Sequence, residues 1–112
     1  MNAEAPAQTR AVIVQRRLNR ERPTLDELES LAVSAAYNVV GRMEQVRERD
    51  PRYQIGSGKV EELAGLVKAK EAERIIFDND LKPLQAYNLA KETGVESIDR
   101  FQLILEIFAR RA

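Results

Sequence analysis

Residues 74–99 read RIIFDNDLKPLQAYNLAKETGVESID, and this stretch decides the fold class. Arg74-Ile75-Ile76-Phe77-Asp78 is a short apolar run closed by charge, the pattern of a strand buried on both faces. Asn79 and Asp80 make a loop, and Pro83 stands where the first turn of a helix tolerates a missing N–H. Leu84, Tyr87 and Leu89 follow on the helix, with Gly94 placed as a left-handed cap. Val95 to Ile98 then predicts another strand. A strand, a helix and a strand within 26 residues form a parallel crossover unit.

The same alternation extends in both directions. Toward the start, Ala11-Val12-Ile13-Val14 predicts a first strand. Thr24 with Glu27 has the spacing of a capping box, opening a helix with Leu25, Leu28, Leu31, Ala32 and Ala35 on one face and Asn38 as its stop. Val39 to about Val46 predicts a second strand, with Gly41 as a bulge or close-approach point; its pairing direction is left open. Gly56-Ser57-Gly58-Lys59 turns into a helix with Val60, Leu63, Ala64 and Val67 inward. Toward the end, Asp99 with Gln102 repeats the capping-box spacing and starts a last helix. The predicted fold is α/β: a four-stranded, mainly parallel sheet with helices on both faces, strand and helix alternating four times in one domain over residues 1–112, of which 1–9 are expected to be flexible.

Composition narrows the chemistry. The chain has no cysteine and no histidine, which removes disulfides, the usual zinc sites, thiol nucleophiles and imidazole bases. No apolar run reaches the ~20 residues of a membrane span, and Met1 to Gln8 lacks the pattern of a signal peptide, so a cytoplasmic location without membrane contact is expected. Eighteen basic and eighteen acidic side chains cancel, but unevenly along the chain. Arg10, Arg16, Arg17, Arg20 and Arg22 form one block; Arg42, Arg47, Arg49, Arg52 and Lys59 form a second, partly offset by Glu44, Glu48 and Asp50. The second block, with Tyr53, has the residue types that grip RNA phosphates and stack on a base, or that simply solvate a loop.

The glycine turn has two readings. Amides at a helix start, beside Lys59, suit an anion such as an RNA phosphate; a tight strand-to-helix turn that needs glycine flexibility is the favoured reading. It is not a Walker A motif, because Tyr53 and Val60 stand where a glycine and a serine or threonine are required. The carboxyl ends of the strands should bring together Arg16, Arg17, Arg47, Asp78, Asn79, Asp80, Asp99 and Arg100, either as a ligand edge or as mutual ion pairs. Asp78, Asp80 and Asp99 do not argue for a metal, since Asp80 and Asp99 have structural work before helices; nor does Asp78 argue for a receiver domain, since no acidic pair follows the first strand. The last helix is apolar at Leu103, Ile104, Leu105, Ile107 and Phe108, more positions than one sheet-facing stripe uses, so Leu105 and Phe108 are candidate interface residues.

Three stretches together resemble the N-terminal domain of HflX-family GTPases: YQIGSGKVEEL from Tyr53, FDNDLKPLQAYNL from Phe77, and VESIDRFQLILEIFARRA from Val95. Lys82 and Tyr87 resemble archaeal members, where bacterial ones commonly carry serine and arginine. The resemblance implies an α/β domain that in the complete protein precedes a helical pair and a Ras-like GTP-binding domain, both absent here. It also implies a ribosome-directed, RNA-binding and regulatory role in subunit dissociation under stress, with large-subunit ribosomal RNA and the GTP-binding domain as partners. Catalytic residues, metal and cofactor are expected to be absent from this chain, GTP and magnesium belonging to the missing domain. The RNA or anion candidates are Gly56, Ser57, Gly58, Lys59, Arg47 and Arg100; Asp78, Asn88 and Asp99 are motif positions expected to order loops. The alternatives are an ATP-binding or hydrolysing module and a protein-interaction domain restraining a GTPase, with a weak dimer through the last helix.

Overall fold

The computed structural model describes residues 8–111. Eight elements alternate: β1 (Thr9–Arg17), α1 (Leu25–Ser34), β2 (Tyr37–Val46), α2 (Ser57–Ala69), β3 (Arg74–Phe77), α3 (Pro83–Thr93), β4 (Glu96–Asp99) and α4 (Arg100–Arg111). The four strands form one sheet in the order β2-β1-β3-β4, and every pairing is parallel, which settles the direction of β2. Of the expected flexible start, residues 1–7 lie outside the described residues, while Thr9 already belongs to β1.

A doubly covered sheet follows from the central strands. Ala11, Val12, Ile13 and Val14 are fully buried. Ala11 and Ile13 pack with Leu28 and Ala32 of α1, Ile76, Ile98, and Leu103 of α4. Val12 and Val14 pack on the other face with Val60 and Leu63 of α2, Ile75, Phe77, and Leu89 of α3. Period-2 side chains thus feed two cores, and each large apolar group buried adds roughly 1.5–3 kcal/mol relative to exposure.

Local chemistry sets several ends. Opposite Ala11 and Val12, β2 pairs through Val39 and Gly41, so Val40 is the extra residue of a bulge beside the glycine. Gly94 closes α3 with φ 78°, a conformation that glycine adopts without a Cβ penalty. The Asp99 box forms both ways: Asp99 N–H donates to Gln102 Oε1 at 3.2 Å, and Gln102 N–H donates to Asp99 Oδ1 at 3.0 Å.

Two sequence expectations are corrected. The box at Thr24 and Glu27 does not form, because the Thr24 hydroxyl donates to the Asp78 carboxylate and Glu27 accepts from Arg22 at 3.0 Å. An ionised oxygen is a better partner than a helix amide. Helix α1 ends at Ser34 rather than Asn38: Ala36 turns to φ 66°, and Tyr37 begins β2 with its ring buried. The Tyr37 hydroxyl donates to Glu106 Oε1 at 2.7 Å and accepts from Arg74 at 2.6 Å. This tertiary anchoring outweighs the local stop signal.

Candidate functional site at the carboxyl edge of the sheet

Helix α1 lies on one face and α2 on the other, so the chain changes direction between β1 and β3. In doubly wound sheets such a switch point opens a crevice where ligands settle. Here Asn79 occupies it. Its Oδ1 accepts from the Arg16 N–H at 2.8 Å and its Nδ2 donates to the Arg16 carbonyl at 2.7 Å.

The neighbouring polar groups are also engaged. Asp78 Oδ1 accepts from Arg100 at 2.6 Å, and its other oxygen accepts from Thr24. Asp99 Oδ2 accepts from the Leu81 N–H at 3.0 Å. Asn88 donates to the Arg52 carbonyl at 3.1 Å, and the buried Gln85 donates to the Asp50 carbonyl at 2.9 Å. These bonds tie the loop after β3 to β4 and to the starts of α1 and α4, and tie α3 to the turn before α2. The acidic residues there hold backbone and arginine, and among the described residues no cluster of three or more acidic side chains is poised for a metal ion.

The glycine turn is exposed at Ser57 and Gly58 but is already furnished from within. Gly56 has φ −70° and ψ 154°, so freedom of φ is not what it provides. A Cβ there would collide with the Arg47 guanidinium and lie 3.3 Å from the Gln45 amide nitrogen. The Gly56 N–H donates to Gln45 Oε1 at 2.9 Å. Nothing lies within 4 Å of a Cβ built on Gly58, and Lys59 is 3.5 Å from Glu62. The hollow beside this turn is lined by Tyr53, Ser57, Gly58, Val60, Glu61 and Glu92. Two carboxylates oppose an anion there.

Arg100 lies elsewhere, at the start of α4 and in an ion pair with Asp78; a second carboxylate, Glu27, is 3.9 Å away. Lys59 and Arg100 share no partner and belong to helices on opposite faces of the sheet. Arg47, in contrast, sits directly over the glycine turn.

Ion pairing separates the arginines into two groups. Arg17 pairs with Glu44 at 3.1 Å, Arg42 with Asp26 at 2.8 Å and Arg74 with Glu96 at 2.6 Å. Side-chain hydrogen bonding to Asp26 raises the Arg42 pKa further. Among the described residues, Arg10, Arg110 and Arg111 near the chain ends and Arg16, Arg20, Arg47, Arg49 and Arg52 have no described carboxylate oxygen within 4.0 Å of the guanidinium, and the last five lie together in sequence around the ends of β1 and β2. Of those five, Arg20, Arg47, Arg49 and Arg52 are exposed and follow the carboxyl ends of β1 and β2, while Arg16 is half-buried within β1. Of the local acids, Asp50 accepts from the N–H groups of Arg52 and Tyr53 at 2.7 and 3.0 Å, Glu21 accepts from Leu18 at 2.6 Å, and Glu48 is exposed. In a chain of zero net charge these arginines outnumber the acids beside them, Glu21, Glu48 and Asp50, and leave this rim with an excess of positive charge. The Arg52 guanidinium lies 5.4 Å from the Tyr53 ring centre, within cation–π range.

The last helix buries Leu103 and partly covers Ile104 and Ile107, while Phe101, Leu105 and Phe108 are more than half exposed. At spacings of four and three residues they form one stripe on the side away from the sheet.

The family described as GTP-binding GTPase N-terminal matches residues 22–109. The chain belongs to the HflX N-terminal domain family. It is 55% identical over 105 residues to the GTPase HflX of Thermofilum pendens, an alignment covering 91% of this chain and 25% of that protein. The HflX of Thermococcus kodakarensis is 52% identical, with 92% and 23% covered. That of Escherichia coli is 39% identical, with 84% and 22% covered, so these two archaeal relatives match more strongly than the bacterial one. The chain thus spans about a quarter of the length of the curated HflX relatives it matches. Its fold is shared with the crystal structure of a GTP-binding protein from Sulfolobus solfataricus in complex with GDP, at a TM-score of 0.69 and 24% identity, covering 91% of this chain and 30% of that one.

Gln54 and Gln85 escape sequence reasoning, because a lone glutamine carries no motif. The one signal was a polar residue between Tyr53 and Ile55, in a run otherwise turning inward. Among the described residues, no helix is long and apolar enough to cross a membrane.

Proposed function

We propose that this HflX-type domain is an RNA-binding and regulatory module, directed to the large ribosomal subunit and acting with a GTP-binding domain in subunit dissociation in the cytoplasm. The observation carrying this reading is the rim of four exposed arginines, Arg20, Arg47, Arg49 and Arg52, without carboxylate partners beyond β1 and β2. Exposed guanidinium groups exchange condensed counterions for contacts with phosphate, and Tyr53 beside Arg52 adds a face on which a base can stack. Closure of the switch-point crevice by Asn79 favours surface binding over a small-molecule pocket. Two carboxylates beside the Gly56 turn weigh against the ATP reading.

Cosedimentation with purified large ribosomal subunits across a salt series tests the proposal. Arg47→Ala and Arg52→Ala are each expected to lower the salt slope by about 0.7–0.9. Lys59→Ala and Arg100→Ala test the remaining anion candidates, with smaller effects expected because Glu62 and Asp78 already engage them. Binding indifferent to salt and to all four changes defeats the proposal.

The exposed stripe of Phe101, Leu105 and Phe108 supports the regulatory half, as a surface for the GTP-binding domain of the same or a separate chain. Saturable binding of a separately supplied GTP-binding domain, lost in Phe108→Ser, is the expected result.

A further inference from the structure

We infer that Gln54 is a positioning residue that holds the arginine-bearing turn in its binding shape, an inference that rests on the RNA reading above. Gln54 is 2% exposed and has φ 70°, a left-handed backbone that favours glycine. Glycine would adopt it freely, so the glutamine is explained by what its side chain does. Its Oε1 accepts from Arg16 Nε at 2.7 Å, and its Nε2 donates to the Asp80 carbonyl at 2.7 Å. One amide thereby joins β1 to the loop after β3. Its backbone closes the turn on Asp50, donating at 2.9 Å and accepting at 3.2 Å.

The consequence reaches the rim through Arg16. With Nε held by Gln54, the Arg16 guanidinium donates from Nη1 to the Arg47 carbonyl at 2.9 Å, pinning the start of the segment that carries Arg47, Arg49 and Arg52. Gln85 and Asn88 hold the same segment from α3 through Asp50 and Arg52. A segment tied at both ends presents its guanidinium groups without first being ordered, which lowers the entropic cost of binding. Gln54 does not touch the RNA; it acts through Arg16 and the turn.

Gln54→Gly tests this, because it relieves the backbone while deleting both side-chain bonds, leaving the fold intact. Amide hydrogen exchange of residues 47–54 in the free protein is expected to accelerate by about tenfold or more, with the β1 and β3 amides unchanged. Affinity for large ribosomal subunits should fall by about five- to tenfold at an unchanged salt slope, since the phosphate contacts remain and only their ordering is lost. A purely structural glutamine would shift the melting temperature and leave that affinity alone. Unchanged exchange overturns the inference, as does unchanged affinity or an affinity loss accompanied by a lower slope. If the wild-type chain binds no subunit, the RNA reading falls, and the exchange rates alone decide whether Gln54 holds the turn.

Discussion

Asn79 grips Arg16 by the backbone from both sides, one end of its amide accepting from the N–H at 2.8 Å and the other donating to the carbonyl at 2.7 Å. The pair adds a rung beyond the last β1–β3 partners, Val14 and Phe77, and fills the position where such sheets ordinarily open.

Asn79→Ala removes both bonds and leaves partly buried Arg16 groups to water or to nothing. A loss of about 2 kcal/mol is expected in urea unfolding, on the basis of roughly 1 kcal/mol for each bond. A loss under about 0.5 kcal/mol would show that water replaces the amide and that the crevice is a latent pocket.

Alanine at Gly56 and at Gly58 should act in opposite directions. At Gly56 the new methyl meets the Arg47 guanidinium, the far end of a flexible side chain, so Arg47 is displaced at a cost of about 1 kcal/mol, the low end for overpacking. At Gly58, inside α2 with open space around it, alanine should stabilise by about 0.5–1 kcal/mol through helix propensity. Thermal melts of both variants would check this. If Gly58→Ala abolished subunit binding instead, the exposed turn itself would be the contact.

Tyr37 links stability to alkaline pH. Burial, then the hydrogen bond to Glu106, pushes its phenol up to about 12, against the opposing influence of Arg74. Because the folded pKa lies above the unfolded value near 10, the unfolded chain releases this proton first. The stabilisation is fully present below pH 10 and is lost as pH rises from about 10 to about 12. Tyr37→Phe should cost about 1 kcal/mol at neutral pH and flatten the pH dependence in that window, as followed by urea midpoints. An equally steep wild-type and variant profile would move the alkaline transition to another group.

Phe108, 64% exposed, is expected to drive weak self-association at high concentration when nothing else covers the α4 stripe. Sedimentation equilibrium should show Phe108→Ser as a monomer with a melting temperature within about 2 °C of the wild type, as expected of an exposed position. A large drop in melting temperature would mean that the ring is packed within the domain.

Element order was legible because short apolar runs, such as Ala11 to Val14 and Ile75 to Phe77, alternate with helically spaced apolar faces from Leu25 onward. The caps at Gly94 and Asp99 were legible for the same reason, their chemistry being local. Thr24 was misread because its hydroxyl found Asp78, 54 residues away, and no window of sequence contains that contact. Arg47 could be named as a candidate, but not its seat over Gly56; Gln54 could not be named at all.

The amino-acid sequence by itself determined an alternating α/β domain, its apolar faces, its lack of thiol and imidazole chemistry, and its likeness to HflX N-terminal domains. Only the tertiary structure decided which charges neutralise one another. A carboxylate's choice among arginines, backbone amides and water depends on separations of a few ångströms between segments far apart in sequence, and burial scales the outcome. Thus Asp78 took Arg100, Asp50 took the amides of its own turn, and Arg20, Arg47, Arg49 and Arg52 were left to form the positive rim.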